Sequence, residues 1–157
     1  MIYQLKGITY NEGGIGMKKI LVPVDGMETC QKTFETAVSL ADKFGAELVV
    51  LYVKPVIDPL SHPSYVALEE HSDVHIEDIA REITKIAAGK LEGQGRKVTS
   101  VIDSGDPASA IIDVASKENC DMIVMCTHGM GTIKRFFLGS VTNKVVHHAQ
   151  VPVLVVR

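Results

Sequence analysis

The chain has 157 residues, 46% apolar and 22% charged, a single domain's length with an ordinary globular mix, which argues against a disordered chain. Its net charge of −3, with no block of Lys and Arg, argues against a general nucleic-acid binder. The start lacks the apolar core of a signal peptide and no apolar run reaches the length of a membrane span, so no membrane partner and a cytoplasmic location are expected.

Residues 1–16 mix polar side chains with Gly13, Gly14 and Gly16 and keep no sustained period. They read as a poorly ordered N-terminal extension, followed by a single domain over residues 17–157. Trp is absent and aromatics are few, so Ile, Val, Leu and Ala must fill the core, as they do in parallel sheets covered by helices. Ile20-Leu21-Val22-Pro23-Val24 is a continuous apolar run, the pattern of a strand buried on both faces. A helix is expected over residues 28–44, with Phe34, Ala37, Val38, Ala41 and Phe44 on one face and Gly45 at its C-terminal cap. The second strand runs from Leu48 to Val53. Pro55 and Pro59 then open a polar segment, read as a mobile loop to about Ser72.

The second helix is expected over residues 73–92, with a stripe of Ile76, Ile79, Ala80, Ile83, Ala87 and Leu91. Val98 to Ile102 is a weaker third strand. Asp106-Pro107 reads as an N-cap followed by proline at the first helical position. The helix it opens runs to about Glu118, with Ala108, Ile111, Ile112 and Ala115 inward. Met122 to Cys126 is the fourth strand, a loop spans residues 127–138, a last helix runs from Ser140 to about Ala149, and Val153 to Val156 is the fifth strand.

Strands that alternate with helices predict an α/β domain with a doubly wound, five-stranded parallel sheet and helices on both faces. Right-handed crossovers then favour the strand order 3-2-1-4-5. Ligands of such sheets bind beyond the carboxyl ends of the strands, where the order reverses, here between strands one and four. Pro23-Val24-Asp25-Gly26 and Cys126-Thr127-His128-Gly129 should therefore converge. Pro23 removes a ladder donor and belongs where its strand leaves the sheet. Asp25 either accepts from a ribose hydroxyl or helps hold a metal, or it simply caps the following turn. Gly129-Met130-Gly131 allows close backbone approach, and Gly139-Ser140 opens a helix whose first N–H groups favour a phosphate. A glycine-rich connector ending in a capping serine would look the same.

The spacing Gly129, nine residues, Gly139-Ser140 resembles the G-x2-G-x9-G-[ST] signature of the universal stress protein family. The flanks resemble it too: Lys19 to Gly26 at the first strand and turn, Phe137 to Val141 inside, and Val151 to Val156 at the end. The likeness covers residues 17–157 and implies ATP or AMP at the predicted crevice, with Mg2+ accompanying the nucleotide. By that resemblance Pro23, Val24 and Asp25 line the adenine and ribose end, Val53 packs on the adenine, and Met125 lies near base or ribose. Gly129, Gly139, Ser140 and Val141 hold the phosphates. Cys126 stands where the first signature glycine is expected, so it belongs to the candidate site as the departure from the pattern. The implied role is a cytoplasmic, stress-associated regulator or sensor; the alternatives are a dimeric interaction protein of the same family without nucleotide, and a slow ATPase.

The other chemistry-bearing residues point nowhere sharper. Cys30, Cys120 and Cys126 are odd in number and lack C-x-x-C spacing, which speaks against a disulfide framework or structural zinc. Adjacent His147 and His148 diverge by about 100° on a helix and do not share a metal easily. His128 reads as a brace of its turn, and Lys134 and Arg135 as solvated loop charges. No P-loop, dinucleotide fingerprint or nucleophile elbow is present, so no catalytic residue is assigned. The apolar last strand would lie bare at a sheet edge, which, with the resemblance, implies a homodimer through residues 153–156.

Overall fold

The computed structural model describes residues 10–11, 14–24, 27–54, 78, 81–82, 85, 97–127 and 138–157. Two short strands come first, β1 (Tyr10–Asn11) and β2 (Gly14–Ile15), paired antiparallel in a small sheet of their own. This is local order within the extension that the residue pattern did not announce. The main sequence of elements is then β3 (Lys19–Val24), α1 (Met27–Phe44), β4 (Glu47–Lys54), β5 (Val98–Ser104), α2 (Pro107–Lys117), β6 (Met122–Cys126), α3 (Ser140–His148) and β7 (Val153–Val156). The expected loop from Lys54 to Ser72 lies, beyond Lys54, outside the described residues. Of the expected helix over 73–92, Asp78, Arg81, Glu82 and Lys85 are described. All four are helical and exposed, at the spacing of one polar helix face.

The five long strands form a parallel sheet in the order β5-β4-β3-β6-β7, the doubly wound order 3-2-1-4-5 expected from the alternation of strands and helices. Consecutive strand residues point to opposite faces, and the core divides accordingly. Ile20, Val22 and Val24 of β3 pack with Phe34, Ala37, Val38 and Ala41 of α1 on one face. Leu21 of β3 packs on the other with Ile111, Val114 and Ala115 of α2 and Val145 of α3. Strands covered on both faces carry no polar alternation, which is why they read as continuous apolar runs.

Both α1 and α2 end in the same closure. Gly45 has φ 73° and Asn119 has φ 54°, the left-handed region that glycine and asparagine tolerate best. In each, the next N–H reaches back five residues, Ala46 to the Ala41 carbonyl at 2.9 Å and Cys120 to the Ala115 carbonyl at 2.8 Å. One inward assignment fails here. Phe44 is 39% exposed, because it is the last residue of α1 and its turn has run past the sheet. Ile112 is half-buried, whereas Val114, which the stripe omitted, is buried.

At the amino end of the sheet Asp121 fastens β3 to β6. Its Oδ2 accepts from the Lys18 and Lys19 N–H groups at 2.7 and 2.8 Å, and its own N–H donates to the Lys19 carbonyl at 2.8 Å. Among the described residues the registered pairing of β3 with β6 covers just Ile20 with Met122 and Leu21 with Ile123. β3 and β4, by contrast, register over six pairs. Beyond Leu21 that registered pairing stops, and the site described below lies at the strand ends past this point.

Leu21, fully buried in the central strand, sets the scale of the core. Leu21→Ala should lower the free energy of unfolding by about 2–5 kcal/mol in urea denaturation. Leu154→Ala, at the sheet edge, should cost under about 1 kcal/mol.

Candidate functional site

A cavity of about 180 Å³ opens at the carboxyl ends of β3, β4 and β6. Pro23 and Val24 form one wall, Leu51 and Val53 a second, and Met125 and Cys126 a third. Pro107 and Ile111 of α2, with Val141 and Thr142 of α3, close the side toward the helices. Six of the residues singled out from the sequence, Pro23, Val24, Val53, Met125, Cys126 and Val141, are thus brought to one space. Asp25 and Gly129 lie outside the described residues, as do His128, Lys134 and Arg135. Gly139 and Ser140 stand at the start of α3, next to the lining residue Val141.

Each wall has a local cause. Pro23 has no N–H, so β3 cannot extend its ladder as a donor there, and pairing with β6 has already ended. The half-buried Cys126 is the last residue of β6. Thr142, 4% exposed, fixes α3 against that strand end: its hydroxyl donates to the Cys126 carbonyl at 2.9 Å and lies 3.4 Å from the Thr127 carbonyl. Gly139 N–H donates to the same Thr127 carbonyl at 2.8 Å, and Thr127 N–H to the Val156 carbonyl at 3.1 Å. The end of β6, the start of α3 and the end of β7 are therefore one hydrogen-bonded unit.

The two helix starts at the cavity differ in electrostatics. Asp106 caps α2, accepting from the Ser109 N–H at 3.0 Å and its hydroxyl at 2.9 Å. Those hydrogen bonds, that from the backbone first, and then Lys144 at 3.3 Å hold the Asp106 carboxyl below its ordinary value. α3 has Gly139 as its cap, with no side-chain hydrogen bond. The serine thought able to cap it, Ser140, is instead its first helical residue. First-turn N–H groups have no acceptor within their own helix, and glycine brings no side chain to supply one. The arrangement offers an apolar slot for a flat ring and, beside it, a partial positive charge for an anion.

Four lining residues escaped the sequence reading as site residues: Leu51, Pro107, Ile111 and Thr142. Asp106-Pro107 was legible as a helix start, and the sheet order places that start at the carboxyl end of β5. Thr142 gave no signal beyond its position in the first turn. A second cavity, about 190 Å³, is lined by Ile112, Asn119, Cys120, Ile123 and Val151 among others. Burial pushes the Cys120 thiol up to about 12, so it stays protonated at neutral pH and is a poor nucleophile. His147 Nδ1 lies 2.8 Å from the Asn143 carbonyl, one turn back, which accepts from it when that nitrogen carries the proton. Among the described residues no group of three or more His, Cys, Asp or Glu is placed to hold a metal.

Comparison with known proteins gives one answer. The model of the universal stress protein family matches residues 16–157. A universal stress protein of Methanocaldococcus jannaschii is 33% identical over 140 residues, covering 89% of this chain and 82% of the relative. The solved structure of universal stress protein UspA from Lactobacillus plantarum superposes with a TM-score of 0.76 at 30% identity, over 90% of this chain and 98% of that one. More distant structures share the fold. One universal stress protein was solved in complex with cAMP (TM-score 0.67, 21% identity, 90% and 98% covered). Another, from Archaeoglobus fulgidus, was solved in complex with dAMP (TM-score 0.61, 20% identity, 90% and 99% covered).

Two outcomes follow for the site's scaffold. Thr142→Val should cost about 1 kcal/mol in denaturant unfolding by removing the hydroxyl that satisfies the Cys126 carbonyl, and Thr142→Ser should restore most of it. The Ser109 hydrogen bonds hold the folded-state pKa of Asp106 below the ordinary aspartate value. Its stabilisation is therefore fully present above that value and is lost as pH falls through the lower, folded one. The difference in Tm between wild type and Asp106→Ala should be constant from neutral pH to about 4 and shrink below it.

Proposed function

Because the chain belongs to the universal stress protein family, we propose that it binds an adenine nucleotide, ATP or AMP, in the cavity between β3 and β6. One observation carries this reading: the apolar slot at the strand-order reversal adjoins a helix start with no side-chain cap. The chemistry of the residues present fits the ligand. Val24, Val53 and Met125 offer apolar surface to a base, which gains by leaving water. Ser140 and Val141 offer backbone N–H groups and the Ser140 hydroxyl to phosphate, beside Gly139, whose own N–H is held by the Thr127 carbonyl. The complexes of other family members with cAMP and dAMP support an adenine nucleotide as the ligand class.

The remaining assignments belong to the same reading. Asp25 and Gly129 complete the ribose and phosphate ends. Mg2+ enters with the phosphates rather than on a preformed protein cage. The protein acts in the cytoplasm as a stress-associated regulator or sensor, and no side chain is assigned as a catalytic base. β7 is the outer strand of the sheet, with Leu154 exposed, and a bare apolar edge favours pairing with another strand. A homodimer through residues 153–156 answers that liability.

Cys126 favours one competing reading, a family member without nucleotide, because a half-buried side chain occupies the position of the first signature glycine. Calorimetric titration of ATP and AMP into the wild type and Cys126→Gly separates the two. Saturable binding by both, at least as tight in the variant, is the expected result. Binding by the variant alone would support the competing reading, and binding by neither would refute the nucleotide site. Sedimentation of the wild type at micromolar concentration should show a dimer; a monomer would contradict the edge pairing.

A further inference from the structure

Lys144, in the second turn of α3, reaches the start of α2 beside the cavity. Its Nζ lies 3.3 Å from Asp106 Oδ1, and Asp106 directly precedes Pro107, a lining residue. Lys144 is four residues after Ser140, so both stand on one face of α3. Side chains on a helix lean toward its N-terminus, which directs the Lys144 side chain toward the α3 start. The pair is open to water, the two side chains being 59% and 50% exposed, so separating it costs little. A tie whose only task was to hold α2 to α3 would not need this placement, since Val145 and Ile111 already pack the two helices together in the core.

We propose that Asp106 and Lys144 form a charge gate at the cavity mouth that favours nucleoside di- and triphosphates over monophosphates. The inference rests on the nucleotide reading and deepens it. A base in the cavity with its first phosphate on the α3 N–H groups sends further phosphates along the face that carries Ser140 and Lys144. Those phosphates compete with the Asp106 carboxylate for the ammonium. Asp106 also occupies the α2 start with a negative charge, which repels an anion there and steers the phosphate chain to α3. A monophosphate, anchored at the first N–H groups alone, gains nothing from Lys144.

The opposed signs of the two variants test this. Calorimetry at low salt would measure ATP and AMP affinities for the wild type, Lys144→Gln and Asp106→Asn. Asparagine caps a helix as well as aspartate does, so the second variant keeps the α2 start. Lys144→Gln should weaken ATP about fivefold, and Asp106→Asn should tighten it about fivefold, with AMP within about twofold in both. Variants that move ATP and AMP together, or that both weaken ATP, would reduce the pair to a structural tie and overturn the gate. Unchanged ATP affinity in both variants would also overturn it while leaving the nucleotide site standing. A wild type that binds neither ligand would overturn both proposals at once.

Discussion

β3 and β6 are neighbours in the sheet, yet among the described residues their registered pairing stops after two residue pairs. Asp121 holds them together at the amino end, and the proline at position 23 withholds a donor at the other. The cavity lies where that pairing stops, with α2 and α3 closing its side. Had the two strands paired along their whole length, Val24 and Cys126 would have met across a ladder instead of lining a shared space.

The opening is kept in shape by few bonds. Thr142 and Gly139 both hold carbonyls at the end of β6, and Thr127 holds the end of β7. Buried carbonyls left without partners are costly, so this small set fixes the helix start at the strand end without filling the cavity. The cap on α2 and the missing side chain at the cap of α3 then give two neighbouring helix dipoles different roles. One is compensated within the protein, and the other is offered outward.

Most of this architecture was readable in the sequence because it follows from period and connection. Continuous apolar runs announced buried parallel strands, Asp106-Pro107 announced a helix start, and right-handed crossovers left the observed strand order. The strand-order reversal places Pro23-Val24-Asp25-Gly26 opposite Cys126-Thr127-His128-Gly129, and of these Pro23, Val24 and Cys126 line the cavity. What stayed hidden depends on contacts distant along the chain or on where an element ends. Asp121 bonds residues 102 and 103 positions away, and no local pattern reports such a partner. Thr142 looks like any threonine in a first helical turn until β6 is placed beside it. Ile111 follows the core period, but periodicity does not tell which residue of an apolar stripe meets a strand and which meets a cavity. Phe44 shows the same limit at a helix end, and the pairing of Tyr10–Asn11 with Gly14–Ile15 is too short to produce a period.

The central claim is about place as well as ligand: an adenine nucleotide belongs in the opening between β3 and β6. Amide chemical-shift mapping during an ATP titration of the isotope-labelled protein tests both together. Saturable shifts clustered at Val24, Val53, Cys126, Gly139, Ser140 and Val141 are the predicted result. No shifts at millimolar ATP, or shifts confined to the other cavity around Ile112, Asn119 and Val151, would contradict the account.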